Sequence, residues 1–354
     1  MSRFMSNKYA ALKPYTPGEQ PKGRQYIKLN TNESPFPPSP LAQQYAKEQV
    51  SQLELYSDPC CTALTERAAQ VLGIDTDEIL FTNGSDDALN FAFMAFCDSN
   101  HPAIFPDISY GFYKVFAQLN NVPYREIPLK EDFTIDIQDY CKTEGTVFIA
   151  NPNAPTGLCL SLADIETIVK SNPNRVVVID EAYVDFGGES ALTLIHKYSN
   201  LLVVQTFSKS RSMAGARLGF AAGCKELIAD LNTLKFSTNP YNVNRMTMAA
   251  GVGSLEDADY FKNCVDRVKQ CRQWTRQQLD QLGMTTLDSS TNFVFTKHST
   301  VPGKVLYTKL RDRGILIRHF DTPRLTDFIR VTIGDEQQMA AFISAMKEIL
   351  EETV

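Results

Sequence analysis

In the stretch QTFSKSRSMAGARLGF, residues 205–220, Lys209 stands between Ser208 and Ser210, and a run of small residues separates it from Arg217. A lysine at the end of an apolar run, beside hydroxyls and an arginine, gives up its proton more readily than a solvated one and can serve as a nucleophilic amine or a base. Most lysines are solvated surface groups, so Lys209 alone defines nothing. Asp180 closes the valine run of RVVVIDEAY, where a carboxylate is costly unless something pairs with it. It reads evenly as a cap or salt-bridged core aspartate and as the partner of a cation within a ligand, such as a protonated pyridine nitrogen. In NGSDDALNFAFMAF a loop opens a helix, with Ser85 suited to the N-cap and Asp86 and Asp87 to the first turn. The amides of Gly84 and Ser85 would then be free to cradle a phosphate, although a plain capped helix has the same residues. Amine, carboxylate and cradle together are the parts needed to hold pyridoxal phosphate. Lys209 would form the Schiff base, and Ser208 and Arg217 would bind the phosphate from two sides, with Ala214, Gly215 and Ala216 letting the backbone return Arg217 to the site.

Those residues need elements to carry them. From Leu41 to about Thr238 short apolar runs alternate with amphipathic segments, the pattern of a parallel sheet covered by helices. Ile79–Phe81, Val147–Ala150, Val176–Ile179 and Leu201–Val204 are each too short for a helix and mostly rich in β-branched residues, so each reads as a strand buried on both faces. A shorter run in PAIFPDISYG delivers Tyr110 just past its end. Ligands of open parallel sheets bind outside the carboxyl ends of the strands, and there the sequence puts Asn83–Asp86, NPNAPTG, Asp180 with Tyr183, and Ser208 with Lys209.

The ends of the chain read differently. The first thirty residues are polar and broken by Pro14, Pro17, Gly18 and Pro21, an arm that a rigid ESPFPPSP link follows. Residues 257–282 read as one long amphipathic helix, with Phe261, Cys264, Val268, Cys271 and Leu279 at helical spacing. Strands at NFVFTK, ILIRHF and FIRVTIG and a helix from Glu336 complete a smaller α+β lobe. The expected division is an arm over 1–35, a large α/β domain over 36–250 and a small domain over 251–354.

With 354 residues, 43% hydrophobic and 21% charged, the chain suits an enzyme with one large core and a smaller lobe. A net charge of -6 argues against nucleic acid as partner. No apolar run is long enough to cross a bilayer, and the first twenty residues lack the apolar core of a signal peptide, so a cytoplasmic enzyme with a small-molecule substrate is expected. The eight cysteines form no C-x-x-C pair and the four histidines are scattered, so no metal is expected.

TFSKSRSMAGARLGF, VVVIDEAYVDF, NPNAPTG, LNTNESPFPPSP, LYSDP and FIRVTIG, taken in order, resemble the fold type I pyridoxal-phosphate aminotransferases of class I/II from about Tyr15 to the C-terminus. Within that family they look like the members that act on histidinol phosphate. The resemblance implies a large domain with a mostly parallel seven-stranded sheet. It makes Lys209 the Schiff-base lysine and Asp180 the partner of the pyridine nitrogen. Tyr183 would hydrogen-bond the phenolate oxygen of the cofactor and Tyr110 would stack on its ring. Ser85, Asp86, Thr206, Ser208 and Arg217 would lie at or beside the phosphate. Tyr56, in LYSDP, matches a tyrosine that reaches across a homodimer interface to the partner's cofactor.

The family usually reads Asn-Pro-Thr-Gly where this chain has Ala154 before Pro155; Asn153, one residue earlier, is carried over as the amide donor through a shifted backbone, the other reading being that Tyr183 acts with less help. For substrate the resemblance offers Tyr15, Asn32, Arg318 and Arg330. Arg330 matches the residue that grips a substrate carboxylate, a place the phosphate of histidinol phosphate would take, and a second arginine favours a doubly charged group. Arg318 reads equally as a solvated edge-strand residue. The implied reaction moves the amino group of histidinol phosphate to 2-oxoglutarate. An aromatic or broad-specificity aminotransferase and a threonine-phosphate decarboxylase share every cofactor residue. A cofactor-binding regulator without catalysis and a phosphate-binding protein without pyridoxal are the other readings.

Overall fold

Seven strands of the computed structural model form the central sheet: β1 (Ile79–Thr82), β2 (Ala103–Pro106), β3 (Tyr124–Ile127), β4 (Thr146–Ala150), β5 (Val177–Asp180), β6 (Leu201–Thr206) and β7 (Gly219–Gly223). The structure describes every residue except Met1, Ala10, Ala11, Lys13, Pro14, Pro17, Lys22 and Val354, so two of the prolines read as breaking the arm lie outside the described residues. Spatial order is β1-β7-β6-β5-β4-β2-β3, and every pairing is parallel except those of β7. Alternate residues of each strand enter opposite cores. Val178 and Leu202 pack with the helix Ser85–Phe96 on one face, and Val177, Ile179 and Val203 pack with Leu162–Ser171 on the other, as a sheet buried on both faces requires.

All five strands expected from apolar runs are present. The other two have physical reasons to be inconspicuous in the sequence. Strand β3 is an edge strand, YREI, with two exposed residues, and β7, GFAAG, is wholly buried but made of small residues that register as no apolar run.

Register brings the strand ends level. Ala150, Asp180 and Val204 are direct partners across β4, β5 and β6, while Thr82, Gly219 and Thr206 are partners across β1, β7 and β6. Residues just beyond these rungs therefore meet along one edge.

The small domain contains the helix Ala258–Gln281, flanked by Asp257 and Leu282, and an antiparallel sheet of β8 (Met284–Thr286), β9 (Phe293–His298), β10 (Arg318–His319) and β11 (Phe328–Thr332) in the order β10-β11-β9-β8. Helix Glu336–Thr353 closes it. The segment expected as one strand in ILIRHF is divided: Ile315–Leu316 pairs in parallel with Ile27–Lys28, and Arg318–His319 joins the small sheet.

Two stretches pack across the expected boundaries. Leu29, within the expected arm, is buried in the core of the small domain beside Ile315 and Phe342, because its apolar side chain and the pairing of Ile27–Lys28 tie that stretch down. The division at 250 falls inside the helix Arg245–Glu256, whose Ala250 and Leu255 share a core with Ala42, Leu64 and Phe81 of the large domain. Among the described residues no helix is long and apolar enough to cross a membrane.

Candidate active site

A cavity of about 330 Å³ opens where β4, β5 and β6 end, and a cleft of about 680 Å³ adjoins it toward the small domain. Thr31, Tyr110, Ala154, Tyr183 and Lys209 line both. The Nζ of Lys209 donates to the carbonyl of Thr31 at 3.3 Å and lies 5.9 Å from the Tyr183 ring centroid.

Asp180 forms one wall. It is 4% exposed. Its Oδ2 accepts from the Tyr113 hydroxyl at 2.9 Å and its Oδ1 from the Ala182 amide at 3.3 Å. Burial pushes its carboxyl up to about 6, against the pull of these donors and of Lys209. Two donors leave a carboxylate with acceptor capacity to spare, so the wall is suited to a buried cation. Tyr113 is absent from the residues the sequence singled out: nothing about a tyrosine in YGFYKVF signals which carboxylate it will meet across the sheet edge.

The opposite end is built from glycine-dependent close packing. Gly84 caps the helix Ser85–Phe96 with φ +80, and a Cβ there would stand 2.6 Å from the Arg217 guanidinium. A Cβ on Gly219 would stand 2.4 Å from the Ser85 nitrogen. Gly84 therefore holds the cap position expected for Ser85, and Ser85 is the first helical residue, because only glycine tolerates this φ so close to another side chain. Ser85 and Asp86 line the cavity, and the first-turn amides of the helix lie there with the favourable end of its dipole.

Arg217 returns from the turn Ala214–Ala216 in the left-handed region, φ +55. Ser208 and Thr206 complete this end; Thr206 Oγ1 accepts from the Ser208 amide at 3.1 Å and donates to Ser208 Oγ at 2.9 Å. Tyr110 spans the side wall and donates to Asp86 Oδ1 at 2.6 Å.

Asn153 does not take the place expected of it. Its Nδ2 donates to the Ile108 carbonyl and to Thr156 Oγ1, both at 3.0 Å, and its Oδ1 accepts from Ser109 at 2.8 Å. Of these partners Ile108 and Ser109 line the cleft, and Asn153 lines neither cavity nor cleft, whereas Ala154 lines both. The amide is consumed in holding the loop.

Tyr15, Asn32, Arg318 and Arg330 all line the larger cleft. Tyr15 packs on Phe112 with centroids 4.4 Å apart. Arg330 is enclosed between the rings of Phe293 and Phe320, donates one hydrogen bond from Nη2 to the Asn30 carbonyl at 3.1 Å, and keeps a buried Nε with no partner. Burial pushes its guanidinium below the usual range, and the nearby Arg318 adds to this. Neither arginine has an acidic partner within ion-pair distance among the described residues. A buried, underpaired guanidinium is a site for an anion.

Tyr56 stands apart, 80% exposed, stacked on Tyr241 at 4.6 Å and outside the cavity of its own chain.

The model of the family "Aminotransferase class I and II" matches residues 24–346, and the chain belongs to that family. A histidinol-phosphate aminotransferase of Brachyspira hyodysenteriae is 47% identical over 99% of this chain and 100% of its own length. One from Clostridium botulinum is 45% identical over 99% of both chains. Among solved structures, the histidinol-phosphate aminotransferase of Sinorhizobium meliloti in complex with pyridoxal-5'-phosphate superposes with a TM-score of 0.86 at 23% identity, over 94% of this chain and 93% of that one. L-threonine-O-3-phosphate decarboxylase from Porphyromonas gingivalis has the same fold, with a TM-score of 0.80 at 22% identity over 92% and 99%.

Proposed function

We propose that the chain is a pyridoxal-phosphate-dependent aminotransferase that moves the amino group of L-histidinol phosphate to 2-oxoglutarate, forming imidazole-acetol phosphate and glutamate in histidine biosynthesis. Full-length relatives at 44 to 47% identity carry that activity in their names. The observation in the molecule that favours a phosphate-bearing substrate is Arg330, buried with an unpartnered Nε and close enough to Arg318 for their charges to interact.

The donor set fits the cofactor. Asp180 offers a buried carboxylate to a ring cation, the helix at Ser85 with Ser208 and Arg217 offers donors to a phosphate, and Lys209 presents an amine between them. When bound, the cofactor supplies an electron sink that acidifies the carbon bearing the substrate amine.

The chain's own groups do the remaining work. Lys209 Nζ would hold the cofactor at rest and, once released by the incoming substrate amine, would take the proton from the substrate carbon and return it to the cofactor's C4′, on the far side of the shared nitrogen. Asp180 would keep the ring nitrogen protonated, Tyr110 would pack on the ring and Tyr183 would donate to its oxygen. Arg330 and Arg318 hold the substrate's phosphate, with Tyr15 and Asn32 beside it, and 2-oxoglutarate uses the same arginines through a carboxylate. The protein works as a cytoplasmic homodimer in which Tyr56 of each protomer serves the other's cofactor phosphate. The exposed Tyr56, Leu53 and Leu55 suit a face covered by a second copy.

Mixing the cofactor-loaded protein with histidinol phosphate, phenylalanine or threonine phosphate tests the substrate. Histidinol phosphate should change the visible absorption at the lowest concentration and consume 2-oxoglutarate. Preference for phenylalanine would assign an aromatic aminotransferase, and carbon dioxide released from threonine phosphate without 2-oxoglutarate would assign the decarboxylase.

A further inference from the structure

The position to which the family resemblance assigns an amide donor for the cofactor's ring oxygen is Ala154 here, and Asn153 is turned toward the loop. Tyr183, which lines the cavity with Lys209, would then be the remaining side-chain donor to that oxygen, and a lone phenol can point its proton in more than one direction. What fixes it lies 151 residues away in sequence, where Asn32 Nδ2 donates to Tyr183 Oη at 2.9 Å.

The side-chain amide of Asn32 is held between Thr332 and Tyr183. The Thr332 hydroxyl accepts from the Asn32 backbone amide at 2.9 Å and donates its single proton to Asn32 Oδ1 at 3.0 Å. With Oδ1 committed to Thr332, Nδ2 must face Tyr183. Asn292 adds a third tie, donating to the Asn32 carbonyl at 2.9 Å. Asn32 is 1% exposed and adopts φ +57, a left-handed backbone that asparagine tolerates better than most residues. Because Tyr183 accepts from Asn32, its own proton is directed away from Asn32 and is free for the cavity, which Tyr183 lines together with Lys209.

We propose that Asn32 is a positioning residue that substitutes for the amide missing at 154, acting through Tyr183: it orients and polarises the phenol so that one donor at the ring oxygen does the work of two. This rests on the reading of the cavity as a pyridoxal phosphate site. It also makes the donor to the cofactor dependent on the small domain, since Thr332 and Asn292 belong to it.

The readout is the pH midpoint of the visible absorption of the lysine-bound cofactor, measured without substrate. A ring oxygen with weaker donors is more basic and holds the proton it shares with the lysine nitrogen to higher pH. Asn32→Gly, which tolerates the positive φ, should raise the midpoint by a few tenths of a pH unit to about one unit, since it weakens a hydrogen bond to a charged acceptor without removing it. The same substitution made in a Tyr183→Phe background should move the midpoint no further, because Asn32 acts only through that hydroxyl. Adding Ala154→Asn to Asn32→Gly should bring it back toward the parent value. A parent-like midpoint in Asn32→Gly, or an equal shift with and without the Tyr183 hydroxyl, would overturn the proposal. If Asn32→Gly does not fold, Asn32→Asp, which replaces the donor by an acceptor on the same backbone, should raise the midpoint at least as far, and no rise would again overturn it. A parent protein that takes up pyridoxal phosphate with no visible band would instead remove the cofactor reading itself.

Discussion

The Arg217 guanidinium and the Asp86 carboxylate form an ion pair at 2.8 Å across the end of the cavity, joining the turn before β7 to the first turn of the helix Ser85–Phe96. Only Nη2 of Arg217 is engaged by Asp86, while the second oxygen of Asp86 accepts from Tyr110. One carboxylate thus ties the cation at the phosphate end to the aromatic that walls the ring, and it leaves the remaining guanidinium donors for an anion. The absence of a side chain at Gly84 lets the guanidinium lie against the helix start.

Arg217→Ala should weaken cofactor binding by roughly 10- to 100-fold, the range of one or two charge-assisted hydrogen bonds. Titrating cofactor-free protein with pyridoxal phosphate measures this, and Arg217→Lys should recover only part of the loss because an ammonium lacks the planar fork. Unchanged affinity in Arg217→Ala would remove Arg217 from the phosphate site.

Asp180 sets a pH dependence in the cofactor-free protein. Its folded value, pushed by burial to about 6, lies above the 3.8 of an unperturbed carboxyl, so the folded state holds this proton more tightly than the unfolded chain. The resulting stability is fully present below about pH 4 and is lost as pH rises through about 6, a change on the order of 2 to 3 kcal/mol. The melting temperature at pH 4.5 minus that at pH 7.5 should therefore be more positive in the cofactor-free parent than in Asp180→Asn. Equal differences in the two proteins would exclude this contribution.

Arg330→Ala should raise KM for histidinol phosphate by about 10- to 100-fold, as expected for the loss of a charge-assisted contact made equally in ground and transition states. The cofactor's absorption should stay as in the parent. An unaltered KM would place the substrate's anion elsewhere, with Arg318 the next residue to replace.

A mixing experiment joins Lys209 to Tyr56. Lys209→Ala should lose turnover by on the order of 10⁴-fold or more, since it removes both the attachment and the proton carrier. Tyr56→Ala should bind cofactor weakly. Unfolded together and refolded in equal amounts, the two should regain about a quarter of parental activity, because half the dimers are mixed and each of those carries one intact composite site. No recovery would show that Tyr56 serves no partner's site.

Much of this site is legible in the order of residues alone. Asp180 comes directly after a buried apolar run, Ser208 and Lys209 follow another within five residues, and a short run rich in β-branched residues reads as a strand. The phosphate end is legible in composition but not in detail: Ser85 is a helical residue behind a Gly84 cap, a choice forced by the guanidinium packed against that glycine. Strand β7 is invisible in the sequence because GFAAG acquires its burial only from β1 and β6 on either side.

The sequence by itself determined which chemical groups the protein owns and at which sheet edge they gather, since strand propensity and the polarity of the residues after each strand are local properties. Tertiary structure alone decided where the amides point. Asn153 and Asn32 are the same residue type, yet one is spent on Ile108, Thr156 and Ser109, and the other, oriented by Thr332, reaches Tyr183. A hydrogen bond between residues distant in the chain depends on the register and packing of elements that neither residue encodes, and that is why the sequence could not assign it.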